Sequence, residues 1–140
     1  MNWIIDWPYK WFAPFLPERC GKSAPHWLAF VDKTWVYTDR VRLAEYLAAA
    51  PVVLITDAEE GRCYFCGSDL GNASCLRSDG IWLWENGLDH YVLEHAIRLP
   101  DTFVAHIEER EFRPPAEVHD DFEFLPMPTG AEVQGLLHLE

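Results

Sequence analysis

The spacing of apolar positions changes several times along this chain, and the changes divide it into elements. Val41, Leu43, Ala44, Leu47 and Ala48 recur at helical spacing after Asp39, a capping residue, and Pro51 stops the run, which predicts a helix over 40–50. Val52 to Ile55 is apolar on both faces and rich in β-branched residues, as in a central strand covered on two sides. Upstream, the β-rich runs 26–31 and 34–38 flank Asp32-Lys33 at hairpin spacing. A second hairpin is expected where 74–77 and 81–84 flank Ser78-Asp79-Gly80, with Trp82 and Trp84 on one face, Ile81 and Leu83 on the other, and burial on both. Arg62 to Phe65 is expected to start a further strand, followed by a glycine-bearing loop at 67–72.

Two more helices follow. Leu88, Tyr91 and Val92 share a face within 86–95, and 100–110 opens with Pro100 and Asp101, both suited to a first helical turn. At the N-terminus, Trp3 to Pro17 holds Pro8, Pro14 and Pro17, which predicts an extended, packed loop. At the other end, Pro114, Pro115, Pro126 and Pro128 lie among acidic residues, so 111–140 is expected as a partly irregular acidic segment of one domain spanning 1–140. The sum is an α+β fold: a small mixed, largely antiparallel sheet with two or three helices packed on one side.

Composition narrows the function classes. Hydrophobic residues form 49% of the 140, with seven Trp, which is too apolar for a disordered chain despite a net charge of -12. The longest apolar run, Ala48 to Ile55, is too short for a membrane span, so no membrane association is expected. Residues 1–8 lack a basic stretch followed by an apolar one, and a cytoplasmic location is expected. Residues 1–77 carry eight Lys/Arg against nine Asp/Glu, whereas 78–140 carry three against fourteen. An acidic half of that kind repels phosphate backbones and suits a basic protein partner; no nucleic acid is expected. Trp3, Trp7, Trp11 and Phe15 in the proline-bearing N-terminal stretch suggest self-association as a homodimer or other homo-oligomer.

Cys63-Tyr64-Phe65-Cys66-Gly67 is a CxxCG turn, which places two sulfurs on one side of a loop where they can share a zinc ion. Zinc needs about four ligands, and the other candidates, Cys75, Cys20, His90 and His95, are scattered in sequence. Cys75 follows across a glycine-bearing loop, so Cys63, Cys66 and Cys75 form the candidate metal set, completed by Cys20 or a histidine. Cysteines are also among the residues most often buried for packing. On that reading the thiols are free core residues and no cofactor is present; a structural zinc is the alternative. A thioredoxin-like redox pair does not fit, because a Gly-Ser-Asp-Leu-Gly loop stands where a helix should open.

With the CxxCG at Cys63, the pattern DGxWxW at Asp79–Trp84, then HYV at His90, then His95 and Leu99-Pro100, the segment 63–106 resembles small bacterial proteins of unassigned function. Among these are products of mobile gene cassettes and of toxin-immunity loci. The resemblance implies no established activity and no catalytic residues.

Candidate chemistry outside the cysteines rests on His90, Glu94 and His95. His90 and Glu94 stand four apart on a predicted helix, so Glu94, or the adjacent Asp89, could orient His90 as a general base. No serine or cysteine nucleophile in a recognisable turn accompanies them, and no nucleotide-binding or zinc-protease motif occurs. The balance leans away from an enzyme. The favoured expectation is a non-catalytic, immunity- or accessory-type bacterial protein that binds a basic partner through its acidic C-terminal half. The alternative is a small enzyme or ligand-binding protein using His90, His95 and nearby carboxylates in an aromatic pocket.

Overall fold

The computed structural model describes residues 3–7, 9–12, 27–54, 60–72, 75–118 and 137–139. Within them the chain forms β1 (Trp3–Trp7), β2 (Tyr9–Phe12), a 3-10 turn (Trp27–Phe30), α1 (Arg40–Ala49), β3 (Val52–Leu54), β4 (Glu60–Arg62) and β5 (Asp69–Asn72). It continues through β6 (Leu76–Ser78), β7 (Trp82–Glu85), α2 (Leu88–Glu94), α3 (Asp101–Glu109) and β8 (Leu137–Leu139). Six strands join in the order β3-β6-β7-β2-β1-β8, while β4 and β5 make a separate two-stranded ribbon. All neighbours in the large sheet are antiparallel except β2 and β7, so the fold is α+β with a mixed, mainly antiparallel sheet.

The hairpin around Ser78-Asp79-Gly80 forms as its sequence predicts, pairing Ser78 with Leu83 and Leu76 with Glu85. Its turn is organised by Asp79, whose Oδ1 accepts the amides of Ile81 (3.0 Å) and Trp82 (2.8 Å). Asp79 Oδ2 meets α1 and α3: it accepts the Tyr46 hydroxyl at 2.6 Å and lies 2.9 Å from His106 Nε2. Burial, and next the hydrogen bond to Asp79, push the Tyr46 phenol above its ordinary value and keep it a neutral donor. Trp82, Leu83 and Trp84 are all buried; Trp82 stacks on Phe103 of α3 at 4.3 Å and Trp84 Nε1 donates to the Leu47 carbonyl of α1. The two indoles thus bring α1 and α3 onto the middle of the sheet. Ile81, expected to be buried, is half exposed because it belongs to the turn.

All three helices lie where the sequence places them, and they bury Leu43, Tyr46 and Leu47 of α1, Leu88, Tyr91 and Val92 of α2, and Phe103, Val104 and Ile107 of α3. Four strand expectations are corrected. Trp3–Phe12 is not a loop but the hairpin β1–β2: Tyr9–Phe12 contains no proline, so it can pair on both sides, with β1 and in parallel with β7. Trp11 is accordingly buried in the core rather than available for self-association; the side chains of Trp3 and Trp7, and Phe15 altogether, lie outside the described residues.

The hairpin expected over 26–38 does not form. Trp27 is instead drawn onto Tyr91, ring against ring at 3.7 Å, and Val31 bridges to Ile97. Asp32 closes its own turn by accepting the Thr34 amide (3.0 Å) and hydroxyl (2.6 Å). Val52–Leu54 is an edge strand rather than a central one: among the described residues β6 is its one strand partner. Asp69–Asn72, expected as loop, is β5, and its partner β4 ends at Arg62. In the acidic C-terminal segment, Leu137–Leu139 pairs with β1, and 119–136 lies outside the described residues. Among the described residues no helix is long and apolar enough to cross a membrane.

Candidate metal centre

The β4–β5 ribbon stands apart from the six-stranded sheet, and a lone two-stranded hairpin is marginal in water. Its six-residue connection, 63–68, is a tight knuckle. The Cys63 amide donates to the Ser68 carbonyl (2.9 Å), and the Gly67 amide donates to the Cys63 carbonyl (2.9 Å). Gly67 takes φ +72, a left-handed value that favours glycine. This geometry turns both sulfurs the same way, and the Phe65 amide points at Cys63 Sγ from 3.4 Å.

Opposite the knuckle lies α2. The Tyr64 amide donates to the Tyr91 hydroxyl at 2.9 Å, Asn86 Nδ2 donates to the Leu70 carbonyl at 3.4 Å, and Gly87 leaves room for the Leu70 side chain. Phe65 stacks on the His95 imidazole at 4.8 Å. These contacts set the helix so that His90 and His95 face the two cysteines. His90 Nε2 lies 3.3 Å from Cys66 Sγ and 3.2 Å from His95 Nε2. One ligand atom from each of Cys63, Cys66, His90 and His95 falls within 4.8 Å of all the others.

Two of these distances suit one metal ion, and the widest separation, up to 4.8 Å, would have to close around it. A tetrahedral zinc with bonds of about 2.05 Å to nitrogen and about 2.3 Å to sulfur has edges of about 3.3 Å between nitrogens, about 3.6 Å between nitrogen and sulfur, and about 3.8 Å between sulfurs. The His90–His95 separation is close to the first edge, and the Cys66–His90 separation is slightly shorter than the second. The electrostatics agree. Ser68, whose Oγ is 3.1 Å from Cys66 Sγ, and after it His95 and His90, hold the Cys66 thiol well below its ordinary value, at about 5. Cys66 is therefore a thiolate at neutral pH, the form that binds metal.

Two of the three expected sulfurs, Cys63 and Cys66, meet here. Cys75 does not join them: it is buried just before β6, where its carbonyl accepts the Asn86 amide (2.9 Å) across the β6–β7 pair. Cys20 lies outside the described residues. The group is completed instead by His90 and His95, which the sequence offers both as scattered metal-ligand candidates and for acid–base chemistry. Glu94 does not orient His90; it is exposed beside a cavity of about 880 Å³ whose walls include Leu28, Val31, Lys33, Phe65 and His95. Trp82, Trp84 and Tyr91 are buried in the core.

The spacing of His90 and His95 hid their partnership. Residues five apart on an ideal helix point about 140° away from each other, so nothing in the periodicity pairs them. The helix ends between them. His95 leaves the helical conformation (φ -127, ψ 16), which takes its imidazole off the helical direction, and the chain turns away after it at the left-handed Ala96 (φ 52). The usable signal was the company they keep: all four residues fall in the segment 63–106.

No family model matches this chain, and no curated protein or solved structure matches it significantly.

Proposed function

We propose that this chain is a zinc-stapled, non-catalytic binding protein in which Cys63, Cys66, His90 and His95 hold a structural Zn²⁺. The observation that carries the reading is the convergence of four cysteine and histidine ligand atoms within 4.8 Å of one another. Two sulfurs and two imidazoles fill a tetrahedral shell and leave no position for a substrate, which is the mark of a structural rather than a catalytic zinc site. Zinc here ties the β4–β5 ribbon to α2, joining an element with little core of its own to one that buries Tyr91 and Val92. The binding partner we propose is a basic protein, on the strength of the acidic half 78–140, through an interface that weakens as salt rises.

Elemental analysis of the untagged protein tests the metal. The expected result is about one zinc per chain, with the buried sulfur of Cys63 unreactive to thiol reagents until a chelator is added. A metal-free protein, or one whose melting temperature ignores the chelator, overturns the reading.

The cavity beside His95 favours a second reading, a small enzyme or ligand-binding protein, because it places Lys33 and Glu94 along apolar walls next to a zinc ligand. Cobalt substitution separates the two. A closed structural site keeps its visible spectrum when azide or imidazole is added, whereas an open catalytic site takes up the added ligand and changes colour.

A further inference from the structure

The two sulfurs of the centre differ in access. Cys63 is buried, 3% exposed, whereas Cys66 is at the surface. They face the same point from one knuckle, closed by the Gly67 amide on the Cys63 carbonyl. Cys75 is buried elsewhere and is not part of the group. Among the described cysteines, an oxidant arriving from solvent thus meets Cys66 first and finds the Cys63 sulfur within reach.

We propose that Cys66 is a modification site for peroxides, and that its oxidation closes a Cys63–Cys66 disulfide and expels the metal. The inference rests on the zinc reading above and adds its regulation. The Cys66 thiolate attacks one peroxide oxygen; the O–O bond breaks, Cys66 becomes a sulfenic acid, and the other oxygen leaves as hydroxide, taking a proton to become water. The Cys63 thiolate, freed from the metal, then attacks the Cys66 sulfur; an S–S bond forms, the S–O bond breaks, and hydroxide again leaves and is protonated. In sum two thiolates, one hydrogen peroxide and two protons give one disulfide and two waters, two electrons passing from sulfur to peroxide. His90 and His95 alone are too few ligands to retain zinc.

The consequence is mechanical. Sulfurs within 4.8 Å need a shift of side chain and knuckle to reach the roughly 2.0 Å of a disulfide. That shift, together with loss of the ion, unlatches the β4–β5 ribbon from α2 and frees the Phe65 ring from its stack on His95. A thiol reductant followed by zinc restores the latch.

The test uses the zinc-loaded full chain, hydrogen peroxide, a colorimetric zinc indicator and dimedone as a trap for sulfenic acid. Zinc release is expected to rise in step with the Cys63–Cys66 disulfide seen by peptide mass spectrometry. At limiting peroxide the dimedone adduct is expected on Cys66, not on Cys63 or Cys75. The Cys75→Ser variant, which keeps both sulfurs of the knuckle, is expected to release zinc as the wild type does. Adducts appearing first on Cys63, or zinc held through peroxide excess, overturn this inference and leave the zinc reading standing. A chain that holds no zinc before peroxide is added overturns both.

Discussion

His90 and His95 face each other through their Nε2 atoms at 3.2 Å, although the residues stand five apart and an ideal helix would turn them away from each other. If they share a metal with Cys63 and Cys66, replacing either one removes a direct ligand. We expect His90→Ala and His95→Ala each to weaken zinc binding by more than the roughly 10–100-fold that losing an outer-shell partner costs, measured by competition with a chromophoric chelator. Cys75→Ser is expected to leave the zinc content unchanged, since Cys75 lies outside the group.

Acid should release the metal. Zinc binds thiolates and neutral imidazoles, so protons compete with it. The Cys66 thiol, lowered from an ordinary value of 9.0 to about 5, contributes stability to the folded state that is complete above the ordinary value and is lost progressively as pH falls from there through about 5. In the metal-free protein, the difference in melting temperature between wild type and Cys66→Ser should therefore shrink as pH is lowered from 7 to 4.

Asp79 joins three elements through one carboxylate, so its removal should cost more than a surface change. Asp79→Ala orphans the Tyr46 hydroxyl, His106 and the amides of Ile81 and Trp82. With the usual penalty of about 1–3 kcal/mol for a buried polar group left unpaired, a loss of about 3 kcal/mol is expected in urea unfolding. Tyr46→Phe, which removes one donor, should cost about 1 kcal/mol.

Backbone conformation offers two substitutions of opposite sign. Ala96 sits at φ 52 after α2, where glycine is the usual residue, so Ala96→Gly should stabilise by about 0.5–1 kcal/mol in thermal unfolding. Gly87 has φ +99, and a Cβ there would come within 3.1 Å of Leu70 Cβ and Cδ1. Gly87→Ala should destabilise by more than about 1 kcal/mol and loosen the ribbon from α2.

Asp32 supplies a pH effect away from the metal. The Thr34 hydroxyl and then the Arg98 guanidinium, 3.1 Å away, hold its carboxyl below the ordinary value. A depressed acid stabilises the fold above its unfolded value and loses that contribution as pH falls through the folded one. Asp32→Asn should therefore flatten the acid limb of the stability curve below about pH 4. An unchanged limb would show that Asp32 plays no part in it.

The sequence by itself determined the local elements. A 3.6-residue apolar period and a stopping proline were enough for the helix after Asp39, the same period placed α2, and Pro100 with Asp101 placed α3. Two β-rich arms around Ser78-Asp79-Gly80 were enough for the hairpin, because those preferences act within a few residues. The CxxCG pair was equally legible, since spacing alone brings two sulfurs together. What tertiary structure decided was which distant partners win. Trp27 left a local hairpin for Tyr91, Val52–Leu54 became an edge because among the described residues β6 is its one strand partner, and Tyr9–Phe12 became a strand because two neighbours accepted it. The third and fourth members of the metal group follow the same rule. His90 and His95 come from a helix that ends between them and docks on the knuckle through Tyr91, Gly87 and Leu70. That docking depends on packing between residues well separated along the chain, Leu70 with Gly87 and Tyr64 with Tyr91, which no period in the sequence records.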